Sequence, residues 1–435
     1  MSVKVLHFAD AHIDIASGGK RDSQTGLSYR TLDFLSALDS IIDQAIAERV
    51  DLVLFAGDAY RDSVPGPTFQ REWGKRMMQL SVEKIPTLMI AGNHDSSNSS
   101  GKASALQEYD TLQVPYLHLA RNIGVWTPEM LDGVQAQVLA VPWIPRSRII
   151  AQIQSLGNSV DDLNTEIGDQ ISDEIERSLD EADPDLPLIL LAHYSVVGAV
   201  MQNQQMVSLG TEVTLSDKLV KDSRISYTAL GHIHKYQDLN PGKQPPVIYP
   251  GSIERVNFGE IAEDKGFVLA SVSKNHTDYR FQKLTGRKYF SKEIILIDQD
   301  NFGRLSAAEK KGQQYIVAEP DKIQQIVLDQ LPEPTEIADS MVRLTVHYPR
   351  EWESFLDERE IRKAASGALE FHLVFKPVSS PRIRLGEDTA INSITHLELL
   401  ERYCESVNYD PKTLPELLGV AKEIIDSVST EGADL

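Results

Sequence analysis

Through its first 270 residues the chain alternates short apolar runs with longer segments of helical periodicity. Runs typical of buried strands occupy residues 3–9, 51–56, 86–91, 137–141, 186–192, 226–230, 247–249 and 267–272. Residues 27–50 place apolar side chains at steps of three or four, as an amphipathic helix does, and 66–80 also read as a helix. Strands that alternate with helices in this way predict a layered α/β core.

A further amphipathic helix is predicted over residues 160–182. Its apolar positions, again at steps of three or four, are Val160, Leu163, Ile167, Ile171, Ile175 and Leu179. The opposite positions are mostly acidic, so we expect a surface helix with one solvated carboxylate face.

The pattern changes after the first 275 residues. Residues 276–377 indicate a smaller α+β unit, and the polar residues 378–392 are interpreted as a linker. Two short amphipathic helices follow over 393–405 and 411–428. A helical pair of this size hardly buries its apolar faces alone, so it packs either on its own chain or on a partner protein.

The charge of the chain bears on possible ligands. The formal net charge is −21, which by itself argues against nucleic acid, since phosphate binding favours Lys and Arg. Between residues 152 and 187, however, eleven carboxylates against the single Arg177 contribute −10 of this total. Bound metal ions would also invert the local field, so the net charge does not decide the question.

The cysteine content and the N-terminus indicate the compartment. Cys404 is the single cysteine of the 435 residues, which excludes an internal disulfide and a cysteine-based zinc site. The N-terminus shows no signal-peptide pattern, and no apolar stretch approaches the length of a membrane span. We therefore expect a cytoplasmic protein of two or three domains with no membrane partner.

Polar clusters follow the ends of the predicted strands. They are Asp10-Ala11-His12, Gly57-Asp58, Gly92-Asn93-His94-Asp95, His193 and Gly231-His232-Ile233-His234. Each cluster alone is more often a turn, a helix N-cap or a structural histidine. Open α/β sheets, however, place their sites at the carboxyl ends of strands, so the set as a whole predicts a site.

The residue types in this set suit a pair of divalent ions. Carboxylate, imidazole and amide ligands bind Mn, Fe or Zn, and two ions about 3.5–4 Å apart need a bridging carboxylate. Asp58 is predicted to bridge. Asp10, His12 and His234 are assigned to one ion, and Asn93, His193 and His232 to the other.

His94 remains beside the predicted ions and is free to act on a phosphate or on a leaving group. Asp95 is expected to hold its ring. Two ions polarise phosphoryl oxygens and activate a water, so the predicted chemistry is phosphoester hydrolysis with no protein nucleophile.

In this order the motifs resemble the calcineurin-like metallophosphoesterase superfamily, which implies a four-layer αββα core. The runs FADAHID (8–14), LAHYSVVGA (191–199), LGHIHK (230–235) and YPGSIERVNFGE (249–260), followed by DKGF (264–267), are similar to one branch. This branch is the SbcD-type nuclease subunit of the SbcC–SbcD double-strand break repair complex.

The resemblance carries further expectations. It implies a nuclease domain over 1–275, a DNA-binding capping domain over 276–377, and a helical pair over 393–428 that docks an SbcC-type coiled-coil ATPase. It implies a homodimer through the nuclease domain, and a heterotetramer with the partner. It also implies two manganese ions, double-strand exonuclease activity and single-strand endonuclease activity on DNA.

Basic residues near the motifs are candidates for contacts with DNA phosphates. They are Lys20, Arg21, Arg30, Arg61, Lys102 and Arg255. After Gly57-Asp58, members of the family often carry a large hydrophobic residue and then Asp or His. This chain instead has Ala59-Tyr60-Arg61-Asp62. Except at Arg255, a solvated surface charge is the simpler interpretation. The acidic helix over 160–182 is predicted to lie away from the DNA.

Three alternatives stay open on the sequence alone. One is a small-substrate phosphodiesterase or phosphatase on the same core, although the long C-terminal part argues against it. Another is a non-catalytic scaffold, although the complete ligand set and His94 argue against it. The third is a chain that mainly regulates the ATPase of its partner.

Overall fold

A computed structural model describes most of the first 378 residues. The described ranges are 2–15, 18–97, 103–145, 160–201, 206–207, 213–306, 310–311 and 314–378, with positions 397, 400, 414–415 and 417–422 beyond them. The predicted linker and the predicted helical pair over 393–428 therefore lie largely outside the described residues.

The strands and helices are as follows. The strands are β1 (Val3–Phe8), β2 (Leu52–Phe55), β3 (Thr87–Ile90), β4 (Leu117–Ala120), β5 (Gly124–Trp126), β6 (Gln137–Val141), β7 (Leu188–His193), β8 (Ser195–Val196), β9 (Thr214–Leu215), β10 (Tyr227–Gly231), β11 (Gln237–Asp238), β12 (Val247–Tyr249), β13 (Gly266–Val272), β14 (Thr277–Lys283), β15 (Tyr289–Ile297), β16 (Tyr315–Val317), β17 (Met341–Pro349) and β18 (Glu370–Val378). The helices are α1 (Tyr29–Glu48), α2 (Pro67–Val82), α3 (Gln107–Leu112), α4 (Val160–Glu181), α5 (Asp217–Val220), α6 (Gln299–Arg304), α7 (Ile323–Leu328) and α8 (Glu358–Ala364).

The chain divides into two compact units. The first comprises Met1–Lys292, Leu331–Leu344 and Arg362–His372, and the second comprises Glu293–Gln330, Thr345–Ile361 and Leu373–Leu435.

Two six-stranded sheets form the core of the first unit. The strand orders are β14-β13-β1-β2-β3-β4 and β11-β12-β10-β7-β6-β5. In the first sheet β1, β2, β3 and β4 run parallel, and in the second β12, β10, β7 and β6 do. Parallel neighbours bring the carboxyl ends of the central strands to one edge of each sheet, which is where the polar clusters lie.

Side chains of each central strand alternate between two apolar layers. Phe8 of β1 packs with Phe34 of α1 in an outer layer, whereas Val5 packs with Ile189 of β7 between the two sheets. The strands are therefore buried on both faces, as parallel sheets in layered folds are. With helices outside each sheet, the layers run helix, sheet, sheet, helix, which confirms the predicted αββα core.

Helix α4 covers the outer face of the second sheet. Ile167, Ile171, Ile175 and Leu179 are buried in one cluster with Leu190 of β7. Acidic side chains such as Asp173 and Glu176 are exposed on the opposite face. The predicted amphipathic acidic helix is thus confirmed over these residues, because its apolar stripe has a sheet to cover.

A third sheet has the strand order β16-β15-β17-β18, and β15, β17 and β18 each run from the first compact unit into the second. Residues 277–283, with which the predicted capping domain begins, form β14 and pair with β13 along its whole length. The function of each predicted domain stays a prediction. Among the described helices, none is both long enough and apolar enough to cross a bilayer.

The packing of α4 predicts different effects for two neighbouring substitutions. Ile175 is fully buried, so Ile175→Ala should lower the free energy of unfolding by about 2–5 kcal/mol. Glu176 is exposed, so Glu176→Ala should change it by less than about 0.5 kcal/mol. Urea unfolding followed by circular dichroism compares the two variants, and equal effects would contradict this orientation of the helix.

Candidate metal centre

The predicted ligands come together at the carboxyl ends of strands from both sheets. Asp10 and His12 follow β1, Asp58 follows β2, and Asn93 follows β3. From the second sheet, His193 ends β7, and His232 and His234 follow β10. Asp10, His12, Asp58 and His193 are almost completely buried.

Two groups of ligand atoms are close enough to hold ions. The ligand atoms of Asp10, His12 and His234 lie within 4.8 Å of one another, and so do those of Asp10, Asp58 and His193. Asp10 is therefore shared by both groups. Asp58 also reaches both, since its Oδ2 lies 3.7 Å from His12 Nε2 and 3.3 Å from His193 Nε2. This position is compatible with the predicted bridging role of Asp58.

The side chain of Asn93 lies between the two histidines predicted to share its ion. Its Oδ1 is 3.0 Å from His193 Nε2 and 2.9 Å from His232 Nδ1. The amide oxygen and the two imidazoles therefore point to a common location beside Asp58.

Backbone carbonyls fix the tautomers of two ligand histidines. His12 Nδ1 lies 3.1 Å from the Tyr60 carbonyl, and His193 Nδ1 lies 2.5 Å from the Ala56 carbonyl. Because a carbonyl oxygen only accepts, each Nδ1 carries a proton, and in a neutral ring Nε2 then presents a lone pair.

These lone pairs face other acceptors. His12 Nε2 and His234 Nε2 are 3.1 Å apart, and His193 Nε2 faces the oxygens of Asn93 and Asp58. Acceptors that face one another in a buried site are stabilised by a cation between them. The donor set of carboxylate, amide and imidazole thus fits two divalent ions.

The electrostatics of the cluster agree with this arrangement. Burial lowers the pKa of His12 to about 3, so its ring is neutral at pH 7. Burial opposes protonation of His193, but Asp58 and Asp10 raise its pKa to about 9 overall. Burial also opposes ionisation of Asp58, yet the adjacent histidines hold its pKa well below the usual range. Positive charge is therefore favoured beside Asp58, as a proton or as a metal ion.

Several ligand residues have strained backbones. Asp10, His12, Asp58 and His232 have φ values of 51°, 39°, 62° and 97°. Each such residue costs about 1–3 kcal/mol and persists only where its surroundings impose it. Here the loops lock one another, since Asp10 N–H donates to the Gly57 carbonyl and His12 N–H donates to the Asp58 carbonyl.

Asp95 has a different role from the one expected. Its buried carboxylate accepts backbone N–H groups of Asp58, Ala59, Tyr60 and Gly92. The ring of His94 is held instead through Nδ1, 2.7 Å from the Arg61 carbonyl. Asp95 is therefore placed on the loop after β2 and not on the His94 ring, where it was expected. This loop presents the Arg61 carbonyl to His94.

His94 is exposed beside the cluster. Its backbone N–H donates to Asp58 Oδ1 at 2.9 Å, and its ring meets the His12 ring edge-to-face at 5.1 Å. An exposed imidazole fixed next to buried ligands is placed to meet a substrate.

The family model of the calcineurin-like phosphoesterases matches residues 3–236, more than half of the chain. The chain belongs to the calcineurin-like phosphoesterase family. The family uses two divalent metal ions, and the cluster of Asp and His residues is a possible site for them.

Two curated relatives share the printed name DNA double-strand break repair protein Mre11. The protein of Thermoplasma acidophilum is 25% identical over 301 residues, covering 68% of this chain and 69% of that protein. The protein of Archaeoglobus fulgidus is 28% identical over 271 residues, covering 60% of this chain and 52% of that protein. The phosphoesterase thus matches about half the length of the Archaeoglobus protein.

Two solved structures are similar at low identity. A protein of Thermus thermophilus is 13% identical with a TM-score of 0.37, covering 65% of this chain and 99% of that chain. A dimetal phosphatase from Danio rerio is 12% identical with a TM-score of 0.37, covering 64% of this chain and 98% of that chain.

Sequence reasoning missed three residues that support the centre of this phosphoesterase. Glu260 Oε1 lies 2.9 Å from His234 Nδ1, and Lys265 pairs with Glu260 at 2.8 Å. Trp143, which follows β6, stacks against the His232 ring at 5.8 Å. Glu260 and Lys265 lie in the runs 249–260 and 264–267 that carry the family resemblance, which was the available signal.

The residues predicted to contact phosphate differ in burial and in hydrogen-bond partners. Arg30 is buried, and its guanidinium donates to Asp33 and to the Arg255 carbonyl. Arg255 is partly buried and donates to the Glu263 carbonyl at 3.1 Å. Arg21 donates to the Gly26 carbonyl at 2.9 Å. Lys20 and Arg61 are exposed, and Lys102 lies outside the described residues. All of these phosphate contacts stay predictions.

Gly92 provides a test of the metal centre. A Cβ at this position would lie 2.0 Å from Asp58 Oδ1 and 2.6 Å from the Asp58 backbone nitrogen. Gly92→Ala should therefore displace Asp58 and abolish high-affinity Mn²⁺ binding, measured by isothermal titration calorimetry. Gly124→Ala is the matched control, since a Cβ there meets no atom within 4 Å. Wild-type Mn²⁺ affinity in the Gly92→Ala variant would contradict the assigned place of Asp58.

Proposed function

We propose that this chain is a two-metal phosphodiesterase that hydrolyses DNA. The observation that carries the proposal is the convergence of buried and half-buried acceptor atoms from five strand ends, with the exposed His94 beside them. The relatives named DNA double-strand break repair protein Mre11 support DNA as the substrate.

In the proposed centre Asp58 would be shared by the two ions, and manganese is the metal we expect. Asp10, His12 and His234 would hold one ion, while Asn93, His193 and His232 would hold the other. The distances of 3.7 and 3.3 Å from Asp58 Oδ2 to His12 and His193 support the bridge. Because the Asp10 carboxylate also belongs to both groups of ligand atoms, it is positioned to support either ion.

The proposed mechanism divides the work between the ions and the protein. Two divalent ions held by these ligands would supply Lewis acidity towards phosphoryl oxygens and would activate a water near neutral pH. His94 is fixed through Nδ1 by the Arg61 carbonyl, so its Nε2, when the ring is protonated, can donate a proton to the departing alkoxide. Asp95 is a positioning residue that acts through the loop it holds.

We further propose the working context that the resemblance implies. Residues 1–275 act as a nuclease domain, 276–377 as a capping domain on DNA, and 393–428 as the docking site of an SbcC-type ATPase. The chain acts as a homodimer, with double-strand exonuclease and single-strand endonuclease activity in break repair. Helix α4 lies on the outer face of the second sheet, and its separation from DNA is part of this proposal.

Cleavage of end-labelled linear duplex and single-stranded DNA in Mn²⁺ tests the proposal. We expect wild type to cut, Asp58→Ala to lose activity, and His94→Ala to fall by about 10²–10⁴-fold, the usual contribution of general acid catalysis. His276→Ala is the matched control, because His276 is exposed and pairs with Asp278 rather than with the centre. This control should cut like wild type.

Two results would overturn parts of this proposal. Absence of cleavage by wild type, even with an SbcC-type ATPase and ATP present, would exclude the nuclease function. Hydrolysis of a cyclic nucleotide without cleavage of DNA would instead assign the centre to a small substrate.

A further inference from the structure

A buried ion pair lies directly behind one of the proposed metal ligands. Glu260 is fully buried, and its Oε1 lies 2.9 Å from His234 Nδ1. Its Oε2 accepts from the Val256 backbone N–H and from Lys265 Nζ, each at 2.8 Å. Lys265 is 2% exposed and also donates to the His234 carbonyl at 2.8 Å. The pair thus holds His234 by its ring and by its backbone.

Short-range structure keeps this pair in place. Glu260 ends the 3-10 turn Phe258–Glu260, whose first residues are held by Asn257 Oδ1 accepting from Gly259 N–H at 2.7 Å. Lys265 directly precedes β13, which pairs with β1 in the first sheet. Both members therefore sit on backbone that is fixed independently of the metal centre.

His234 differs in this respect from two other histidines of the centre. Within the described part of the chain, His12 and His193 direct Nδ1 at neutral carbonyls, whereas His234 directs it at a carboxylate. A carboxylate on one ring nitrogen fixes the proton there and makes the other nitrogen a stronger metal ligand.

We propose that Glu260, held by Lys265, is a positioning residue for one of the two metal ions. It keeps the proton of His234 on Nδ1 and directs the Nε2 lone pair towards Asp10 and His12. The affinity of that ion, and not of the ion beside Asn93 and His193, then depends on Glu260. This inference rests on the proposed two-metal function.

The substitution Glu260→Gln separates the effect of the carboxylate on His234 from the contribution of the side chain to core packing. Oε2 of Glu260 already accepts from two donors, so the oxygen of a glutamine should occupy that place and its NH₂ should face His234. The NH₂ donates to Nδ1 and moves the ring proton to Nε2, which then cannot bind a metal. The change is isosteric, so the core keeps its volume.

Mn²⁺ binding to the full chain, by equilibrium dialysis and by electron paramagnetic resonance, tests the inference. Wild type should bind two ions with the spectrum of a coupled pair. Glu260→Gln should bind one of them about 10–100-fold more weakly and show the spectrum of an isolated ion. Glu263→Gln is the matched control, since Glu263 also pairs with Lys265 at 2.8 Å, and it should behave as wild type.

The outcomes separate this inference from the proposed function. Fewer than two ions in wild type would overturn the two-metal function, and this inference with it. Two ions bound with unchanged affinity by Glu260→Gln would overturn the inference alone. If Glu260→Gln fails to fold, as judged by circular dichroism in EDTA, Glu260→Asp withdraws the carboxylate from His234 but keeps its charge, and it should show the same selective weakening. Unfolding of both variants would assign Glu260 to the core and equally overturn the inference.

Discussion

The molecule depends on one electrostatic constraint: acceptor atoms converge in a buried place and need positive charge between them. His12 Nε2 and His234 Nε2 are 3.1 Å apart, and His193 Nε2 faces Asn93 and Asp58 oxygens at 3.0 and 3.3 Å. Unpaired buried acceptors are costly, so such a cluster is compatible with a stable fold when cations or protons occupy it. The two sheets supply the geometry, because the carboxyl ends of their parallel central strands meet at one place.

Much of the surrounding structure holds these acceptor atoms together although they repel one another. The ligands Asp10, Asp58 and His232 have strained backbones, and Asp95 binds the loop of Asp58 through backbone N–H groups. The carbonyls of Ala56 and Tyr60 set the ring protons of His193 and His12. The protein therefore prepares the ligand geometry in advance, which lowers the reorganisation that metal binding requires.

The sequence could predict a layered α/β core and the residues of the cluster from local pattern, whereas the order of the four layers came from the family resemblance. Apolar runs mark the buried strands, and the polar residues that end them mark the site edge. It could not predict what long-range packing decides. Arg30 reads as a surface cation but is buried against Asp33, and residues 277–283 complete the first sheet.

The partners of the residues that support the metal ligands also could not be predicted from the sequence. The contact of His94 with the Arg61 carbonyl, in place of Asp95, depends on how two loops meet. Glu260 reaches His234 across 26 residues of chain, a separation that no periodic pattern encodes. In both cases the residue type was visible in the sequence, but its partner was set by the fold.

The most direct test of the two-metal centre is anomalous diffraction at the manganese edge from crystals grown with Mn²⁺. Two peaks are expected about 3.5–4 Å apart, with Asp58 between them. One peak should lie nearest His12 and His234, and the other nearest Asn93 and His193. A single peak, or peaks away from these residues, would contradict the assignment of a two-metal centre to this chain.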